Sequence, residues 1–413
     1  MSRILNSPRM LISSLIAGVL MTTSAAVTAT AATPPIVTNQ AHAARAAFLA
    51  YAPPPAGAAK ALCLVDSGVN ATPDTMPGLV SASALDGGTG ADVDPLIHGT
   101  NDAVIAGGAG HTHIGAWPQL KIVSIRATDI PQPGKQPTFQ FDDYVRGITA
   151  CTKPIAGADI AVIALPLASV IPPTPDQTQA FSNAVALART KGISILAAAG
   201  NTPGAIQLPG SQPGILPVGA GDPDNGVCPF SATTALTFYA PGCGIHQLDA
   251  QGRSICCGNG TSQASAFAAA VLVALRSYAP TLSAQDAVQL LLTTAKHGHL
   301  DVTGVFEGAG LAEIVKAGRA AVPKRPMRPR VKRVTWHGGV LHITLKRMPT
   351  GANLHVKMTF ANGRARRLTT TKPRVQIETP PQRVTLRYTV QTATRTLTGP
   401  SIARNVSRSR GRR

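Results

Sequence analysis

Apolar positions along this chain follow two different periods. Between about residues 61 and 300, short unbroken apolar runs alternate with amphipathic stretches; beyond 334 the period shortens to two. The unbroken runs at 61–65, 121–125, 160–167, 193–199 and 214–220 predict strands. Amphipathic stretches at 142–151 and 178–190, a long Ala-rich segment opening near Ser262, and a segment from Ser283 to about Lys296 predict helices. Strands that are apolar on both faces, separated by helices, specify a mostly parallel sheet covered on both sides, the α/β doubly wound class. Further on, Leu341, Ile343 and Leu345 alternate with Val340, His342 and Thr344. Runs at 354–360, 374–377 and 384–390, with the turn pair Asn362-Gly363 between the first two, extend that pattern. They predict a small antiparallel, sandwich-like β module over 334–400.

The flanks add domain boundaries. Arg3 and Arg9 precede an apolar stretch at 10–27 and the small residues Ala29-Thr30-Ala31, the layout of a secretory signal over 1–31. Ala41-His42-Ala43 is a second cleavage candidate, and an uncleaved membrane anchor is the alternative reading of the same stretch. Residues 32–58 read as an Ala/Pro-rich leader, 59–320 as the working domain, 321–333 as a basic Pro-rich linker, and 401–413 as a polar, basic tail without fixed structure. The expected location is secreted or cell-surface associated. Export makes the six cysteines informative, because an even number in an oxidising compartment favours disulfides. Cys256 and Cys257 are adjacent and no CxxC pair occurs, which argues against a zinc site.

Charge is distributed unevenly. The net charge is +19, yet from Lys324 onward there are 22 Lys or Arg and one acid, Glu378, so residues 1–323 carry −2. A near-neutral working domain is thus joined to a cationic module. Trp336, Phe360 and Tyr388 are the aromatic residues of that module, few for stacking bases, so nucleic acid is disfavoured as a partner. An anionic cell-surface polymer bound through 324–413 is the sharper expectation, and a solvated basic surface the plainer one.

Four polar motifs fall at carboxyl ends of predicted strands or at helix starts, where open α/β sheets place their sites. Strand 61–65 ends in Asp66-Ser67-Gly68; His98-Gly99-Thr100 precedes a short helical pattern at 102–108; strand 193–199 ends in Gly200-Asn201; and Gly260-Thr261-Ser262 opens a helix. The set suits acyl transfer. A Ser hydroxyl attacks only as a His removes its proton, and a buried carboxylate holds that His in one tautomer. The developing oxyanion needs fixed donors, available from an Asn amide and from the backbone N–H of a Ser at a helix N-terminus. Each motif alone also reads as ordinary capping or turn chemistry; together they outweigh it.

In this order the motifs resemble those of the subtilisin-like serine peptidases, the subtilases. Gly115-Ala116-Trp117-Pro118, Pro217-Val218-Gly219-Ala220, Phe230-Ser231 and Ala240-Pro241-Gly242 extend the likeness, which covers about 59–320. The resemblance implies a serine endopeptidase acting on polypeptides, with Ser262 as nucleophile, His98 as base, Asp66 as its orienting acid and Asn201 as oxyanion donor. Leu165, Pro166, Leu167, Ala168 and Gly200 then stand where the substrate would lie. Leu165-Pro166-Leu167-Ala168 replaces the family's Ser-Leu-Gly strand, which motivates an alternative: a weak or inactive subtilase fold that binds peptides or a surface. After His98-Gly99-Thr100 the family has an apolar residue and a Gly; here Asp102 and Val104 occupy those places. No cofactor is required for such catalysis, and no metal site is assigned. Calcium, bound by many subtilases, has candidates in Asp92, Asp94, Asp142 and Asp143, which read equally as solvated acids. His111, His113, His297 and His299 read as solvated loop residues. A monomer is expected, and a bridge from Cys243 to Cys256 or Cys257 would brace the loop before Ser262.

Overall fold

The computed structural model describes residues 36–37, 47–132, 135, 137–222, 226–321, 331–337, 339–345, 352–370, 374–391, 396–398 and 401–408. The expected signal at 1–31, most of the leader and most of the linker lie outside the described residues. The working domain runs β1 (Ile36–Val37), a 3-10 turn (Leu49–Tyr51), β2 (Ala61–Asp66), β3 (Leu79–Ala84), α1 (His98–Gly107), β4 (His113–Ile114) and β5 (Lys121–Arg126). It continues through α2 (Phe141–Cys151), β6 (Ile160–Leu165), α3 (Pro175–Thr190), β7 (Ser194–Ala198), β8 (Leu216–Asp222), β9 (Gly226–Val227), β10 (Tyr239–Pro241), β11 (Ile245–Leu248) and β12 (Ser254–Gly258). Four helices close it: α4 (Thr261–Tyr278), α5 (Ala284–Thr294), α6 (Val302–Gly308) and α7 (Ala312–Ala321).

The main sheet has the order β10-β8-β7-β6-β2-β5-β3, all parallel, with β9 antiparallel on β8. Period-two side chains divide its strands between two cores. In β2, Leu62 and Leu64 pack with α1 and α4, whereas Cys63 and Val65 pack with α2 and α3. Each such aliphatic side chain removed from water contributes roughly 1.5–3 kcal/mol. Helix α4 is buried from Thr261 through Leu275, and its alanines at 264, 266 and 268–270 let it lie close against the sheet. An all-round apolar helix is the expected signature of one enclosed by its neighbours. Chain order reverses at β2, whose neighbours are β5 on one side and β6 on the other, so the carboxyl end of β2 sits at the switch point.

The C-terminal module comprises β13 (Val331–His337), β14 (Val340–Leu345), β15 (Ala352–Thr359), β16 (Ala365–Thr370), β17 (Arg374–Gln376), β18 (Arg383–Gln391), β19 (Thr396–Thr398), β20 (Ile402–Asn405) and β21 (Ser407–Arg408). One sheet is ordered β17-β14-β13-β21; the other is β16-β15-β18-β19, with β20 also on β18. Val334, Leu341 and Ile343 of the first and Leu354, Val356, Met358, Val384 and Leu386 of the second form one buried cluster.

Four expectations are corrected. Residues 402–405 and 407–408, read as part of an unstructured tail, are strands paired to β18 and β13, because Ile402 packs on the module's core. The end of the leader is not free, for Phe48 and Leu49 are buried and Phe48 meets Phe306 edge-on at 5.8 Å. Cys243 pairs with Cys228 at a Cα separation of 6.1 Å, and Cys256 pairs with its neighbour Cys257. With all four sulfurs taken up in these two bridges, none is left for the expected link from Cys243 to Cys256 or Cys257. A third bridge, Cys63–Cys151, ties β2 to α2. Finally, His113 is not solvated: it is fully buried in β4, with Nε2 3.2 Å from Ser254 Oγ. His299 is buried too, beside the ring of Tyr239.

Candidate active site

Asp66 ends β2 at the switch point and is fully buried. Its Oδ1 accepts from Ser67 N at 2.6 Å and from His98 Nδ1 at 2.8 Å. A carboxylate only accepts, so the proton is on Nδ1 and Nε2 is the basic nitrogen. Local backbone chemistry brings His98 there. A side chain at Gly99 would start 2.2 Å from Gly68 O, so Gly99 permits the close approach of α1 to the end of β2, and one at Gly68 would start 2.3 Å from Ala91 O, so Gly68 admits the loop at 91–92. Gly68 also has φ +109°, a conformation natural only to glycine. The residue before His98, Ile97, holds φ 47° and ψ 49°, a left-handed turn that disfavours a β-branched side chain by about 1–2 kcal/mol. Strain of this kind persists where the surroundings over-determine the backbone.

Those surroundings are identifiable. Asp92 accepts from Ser67 Oγ, Asp94 N, Thr100 N and Thr100 Oγ1 at 2.7–3.0 Å. It therefore clamps the first turn of α1 to the Ser67 loop, a structural task that fully occupies its carboxylate. Asn101 reaches across to Leu248, accepting its N–H and donating to its carbonyl, which fixes α1 against β11. Asp143, another acid weighed for calcium, instead receives Gln140 N at the start of α2 and pairs with Arg146.

The second half of the site is built on α4. Thr261 and Ser262 open this helix, and Ser262 is buried with a small exposed fraction. Asn201, an exposed residue just past β7, accepts from Thr261 N and Thr261 Oγ1, both at 2.9 Å. Because a backbone N–H can only donate, the Asn201 oxygen must face Thr261, and its NH₂ group is the outward donor end. Thr261 Oγ1 also accepts from Gly200 N at 3.1 Å. One buried hydroxyl thus joins the β7 turn to the helix that carries Ser262. α1 and α4 pack directly against each other, so the His98 and Ser262 turns belong to adjacent helices.

The predicted residues are not all placed alike. Asp66 and His98 are in contact, and Asn201 and Gly200 meet the residue before Ser262. Leu165 and Pro166, expected at the substrate cleft, are buried, Leu165 within the core shared with α2 and α3. Leu167 is half-buried with its carbonyl taken by Tyr144 Oη at 2.8 Å, and Ala168 is exposed. Of this segment only Leu167, in part, and Ala168 have exposed side chains. Asp92, expected as a calcium candidate or a solvated acid, and Thr261, expected only as part of the Gly260-Thr261-Ser262 motif, instead hold the two halves of the site in place.

One further group stands behind the histidine. Asp102, a turn along α1, is fully buried, with Oδ2 3.9 Å from His98 Nδ1. Ligand atoms of Asp66, His98 and Asp102 all lie within 4.8 Å of one another. Burial disfavours charge on His98, but with Asp66 and Asp102 both ionised their carboxylates outweigh it and raise its pKa to about 10. Burial also pushes Asp102 well above the usual carboxylate range, against the pull of His98. The two groups compete for a proton.

Comparison with known proteins agrees with this architecture. Among solved structures, the chain is similar to an S41 psychrophilic protease (24% identity, TM-score 0.50, covering 58% of this chain and 83% of that one). It is also similar to a serine-to-alanine mutant of the protease domain of PatA (24% identity, TM-score 0.52, covering 61% of this chain and 97% of that one). A third similar structure is a protease from Pseudoalteromonas arctica (18% identity, TM-score 0.54, covering 64% and 93%). At these identities the likeness is one of fold. The sequence model of the subtilase family matches residues 57–318, which span the whole main sheet and both halves of the site. The chain therefore belongs to the subtilase family of serine peptidases.

Proposed function

We propose that this protein is an exported endopeptidase that cleaves polypeptides through an acyl-enzyme on Ser262. Ser262 Oγ attacks the scissile carbonyl as its proton passes to His98 Nε2. Asp66 keeps the ring in the Nδ1–H tautomer and stabilises the imidazolium. The tetrahedral oxyanion takes hydrogen bonds from Asn201 Nδ2 and from the Ser262 N–H at the start of α4, whose dipole favours negative charge. His98 returns the proton to the leaving amine, and water repeats the sequence to release the acid. The observation that carries this reading is the 2.8 Å contact of His98 Nδ1 with the buried Asp66, on a helix packed against the one that begins with Thr261 and Ser262. A fluorophosphonate probe tests it: wild type takes the label, Ser262→Ala does not. Labelling of both proteins, or of neither when the wild type is folded, sinks it. Export is supported by the disulfides and by the 1–31 signal pattern, and is checked by N-terminal sequencing of the protein recovered outside the cell.

A surface-docking role for the basic module rests on its strand register. In the sheet of β15, β16 and β18, Lys357 stands opposite Arg367, His355 opposite Arg387, and Thr359 opposite Arg383. Lys357, Arg367, Arg383 and Arg387 are all exposed on the face turned away from Val356, Met358, Val384 and Leu386. Neighbouring strands lie about 4.8 Å apart, so these cations form a compact open field suited to an anionic polymer of the cell surface. Retention on anionic beads is expected to fall steeply with salt and to vanish when the four are changed to Gln. Salt-insensitive retention by that variant overturns the docking role.

A further inference from the structure

Two buried carboxyl groups share the space behind the histidine, and the reaction described above uses one of them. Asp66 Oδ1 is fully engaged by Ser67 N and His98 Nδ1. Asp66 Oδ2 and both oxygens of Asp102 are buried, and among the described residues no N–H or O–H donor reaches any of the three. Two ionised carboxylates within 4.8 Å of each other in a dry interior repel, and Asp102 lacks every donor that a buried charge needs. A single proton between them resolves both problems, turning one acid into a donor and the other into its acceptor, as in carboxyl dyads generally.

The charge on the histidine says which acid holds the proton. Were Asp102 ionised, His98 would face two carboxylates and stay protonated at neutral pH, unable to take a proton from Ser262. Asp66 already has two donors on Oδ1. Asp102 has none. The charged groups acting on Asp102 are His98 on its own helix, Asp66 on β2 and Asp92 in the preceding loop. Other elements packed against α1 carry His113 (β4), Lys121 and Arg126 (β5), His246 (β11), and Arg276 and Tyr278 (α4).

We propose that Asp102 is a positioning residue held as the neutral acid, donating its proton to Asp66 Oδ2 so that His98 remains free to act as the base. It touches no substrate. Its hydroxyl fixes the Asp66 carboxylate in the plane that meets His98 Nδ1, and its neutrality keeps the pair basic in the useful range. This inference rests on the serine-peptidase reading for its consequence, but not for its measurement.

Asp102→Asn and Asp102→Val separate the contributions. Asn is a neutral donor of nearly the same shape; Val supplies the apolar side chain that the family carries there but no donor. His98 is titrated by NMR on ¹³C-histidine-labelled protein in the Ser262→Ala background, which needs no turnover, and the acid limb of kcat/KM is followed in the active enzymes. The expected result is that Asn leaves the His98 titration and kcat close to wild type, whereas Val lowers kcat about tenfold with KM unchanged. If Asn instead lowers the His98 midpoint by roughly one to three pH units, the effect of removing a nearby full charge, Asp102 was ionised and the proposal falls. It falls also if Val matches wild type in a protein that melts cooperatively. Dialysis against EDTA is expected to change nothing; loss of the titration behaviour restored by zinc alone would show that the three residues hold a cation instead. Failure of the acyl-enzyme reading appears separately, as absence of probe labelling with the NMR result intact.

Discussion

Replacing Thr261 by Val tests the link between the β7 turn and the helix that carries Ser262. Val preserves the shape of Thr but removes a hydroxyl that accepts from Gly200 N at 3.1 Å and donates to Asn201 Oδ1 at 2.9 Å. Thr261 and Gly200 are both buried, so the Gly200 N–H loses its partner in a place where an unmade bond destabilises by about 1–3 kcal/mol. Asn201 keeps its bond from Thr261 N at 2.9 Å, so its amide is loosened and not lost. Complete removal of one oxyanion donor lowers kcat by roughly 10²–10³, a magnitude measured on a subtilisin and borrowed here as an upper bound. Half of the clamp should then correspond to about tenfold in kcat, near 1.4 kcal/mol in the barrier. The assay is hydrolysis of a chromogenic peptide anilide, normalised by fluorophosphonate titration so that unfolded protein does not count, beside thermal melts. Thr261→Ser, which keeps the hydroxyl, is expected to retain activity. An unchanged kcat in Thr261→Val while Asn201→Ala loses a hundredfold would refute the reasoning, because Asn201 would then be oriented by something other than this hydroxyl.

Three other outcomes are expected. His113 is buried and its pKa is lowered to about 4, mainly by desolvation. The unfolded chain therefore binds the extra proton first, and His113 destabilises the fold as pH drops from about 6.5 to about 4, by on the order of 3 kcal/mol in full. Melting curves of His113→Gln should accordingly lose less stability than wild type between pH 7 and pH 4; parallel curves would dismiss the idea. Removing the Cys63–Cys151 bridge as a double Ala variant opens a span of 88 residues. In the chain-entropy account that destabilises by roughly 4–5 kcal/mol, visible as a Tm drop that a reductant reproduces in wild type. Gly99→Ala places a methyl 2.2 Å from Gly68 O, so α1 must move away from β2; activity should vanish while the far-UV spectrum is kept.

The doubly wound class was legible because the strands at 61–65 and 193–199 are apolar on both faces, a pattern that only a covered parallel sheet explains. His98, Asp66, Asn201 and Ser262 were legible because small residues mark their turns. What the linear pattern hid has physical reasons. β3 reads Leu-Val-Ser-Ala-Ser-Ala, too polar to declare itself, and it is an edge strand half-buried in the sheet. Asp92 looked like a solvated loop acid since nothing in a sequence shows that four donors will converge on it. His113 looked like a loop histidine since its ring partner, Ser254 of β12, lies more than a hundred residues away. Asp102 was visible as a departure, but its meaning needed the distance to Asp66.

The wedge formed by Phe48 and Leu49 limits where the N-terminal segment can be shortened without loss of packing. Gly318 of α7 lies so close beneath Phe48 that a methyl there would start 2.3 Å from the Phe48 carbonyl oxygen. The last turn of the leader and the last helix of the peptidase domain thus seal the same seam from opposite termini. A cut anywhere before Phe48 would leave both anchors in place, whereas a cut past Leu49 would strip them together. A cut beyond Val37 would also remove β1, the strand paired to His113 and Ile114.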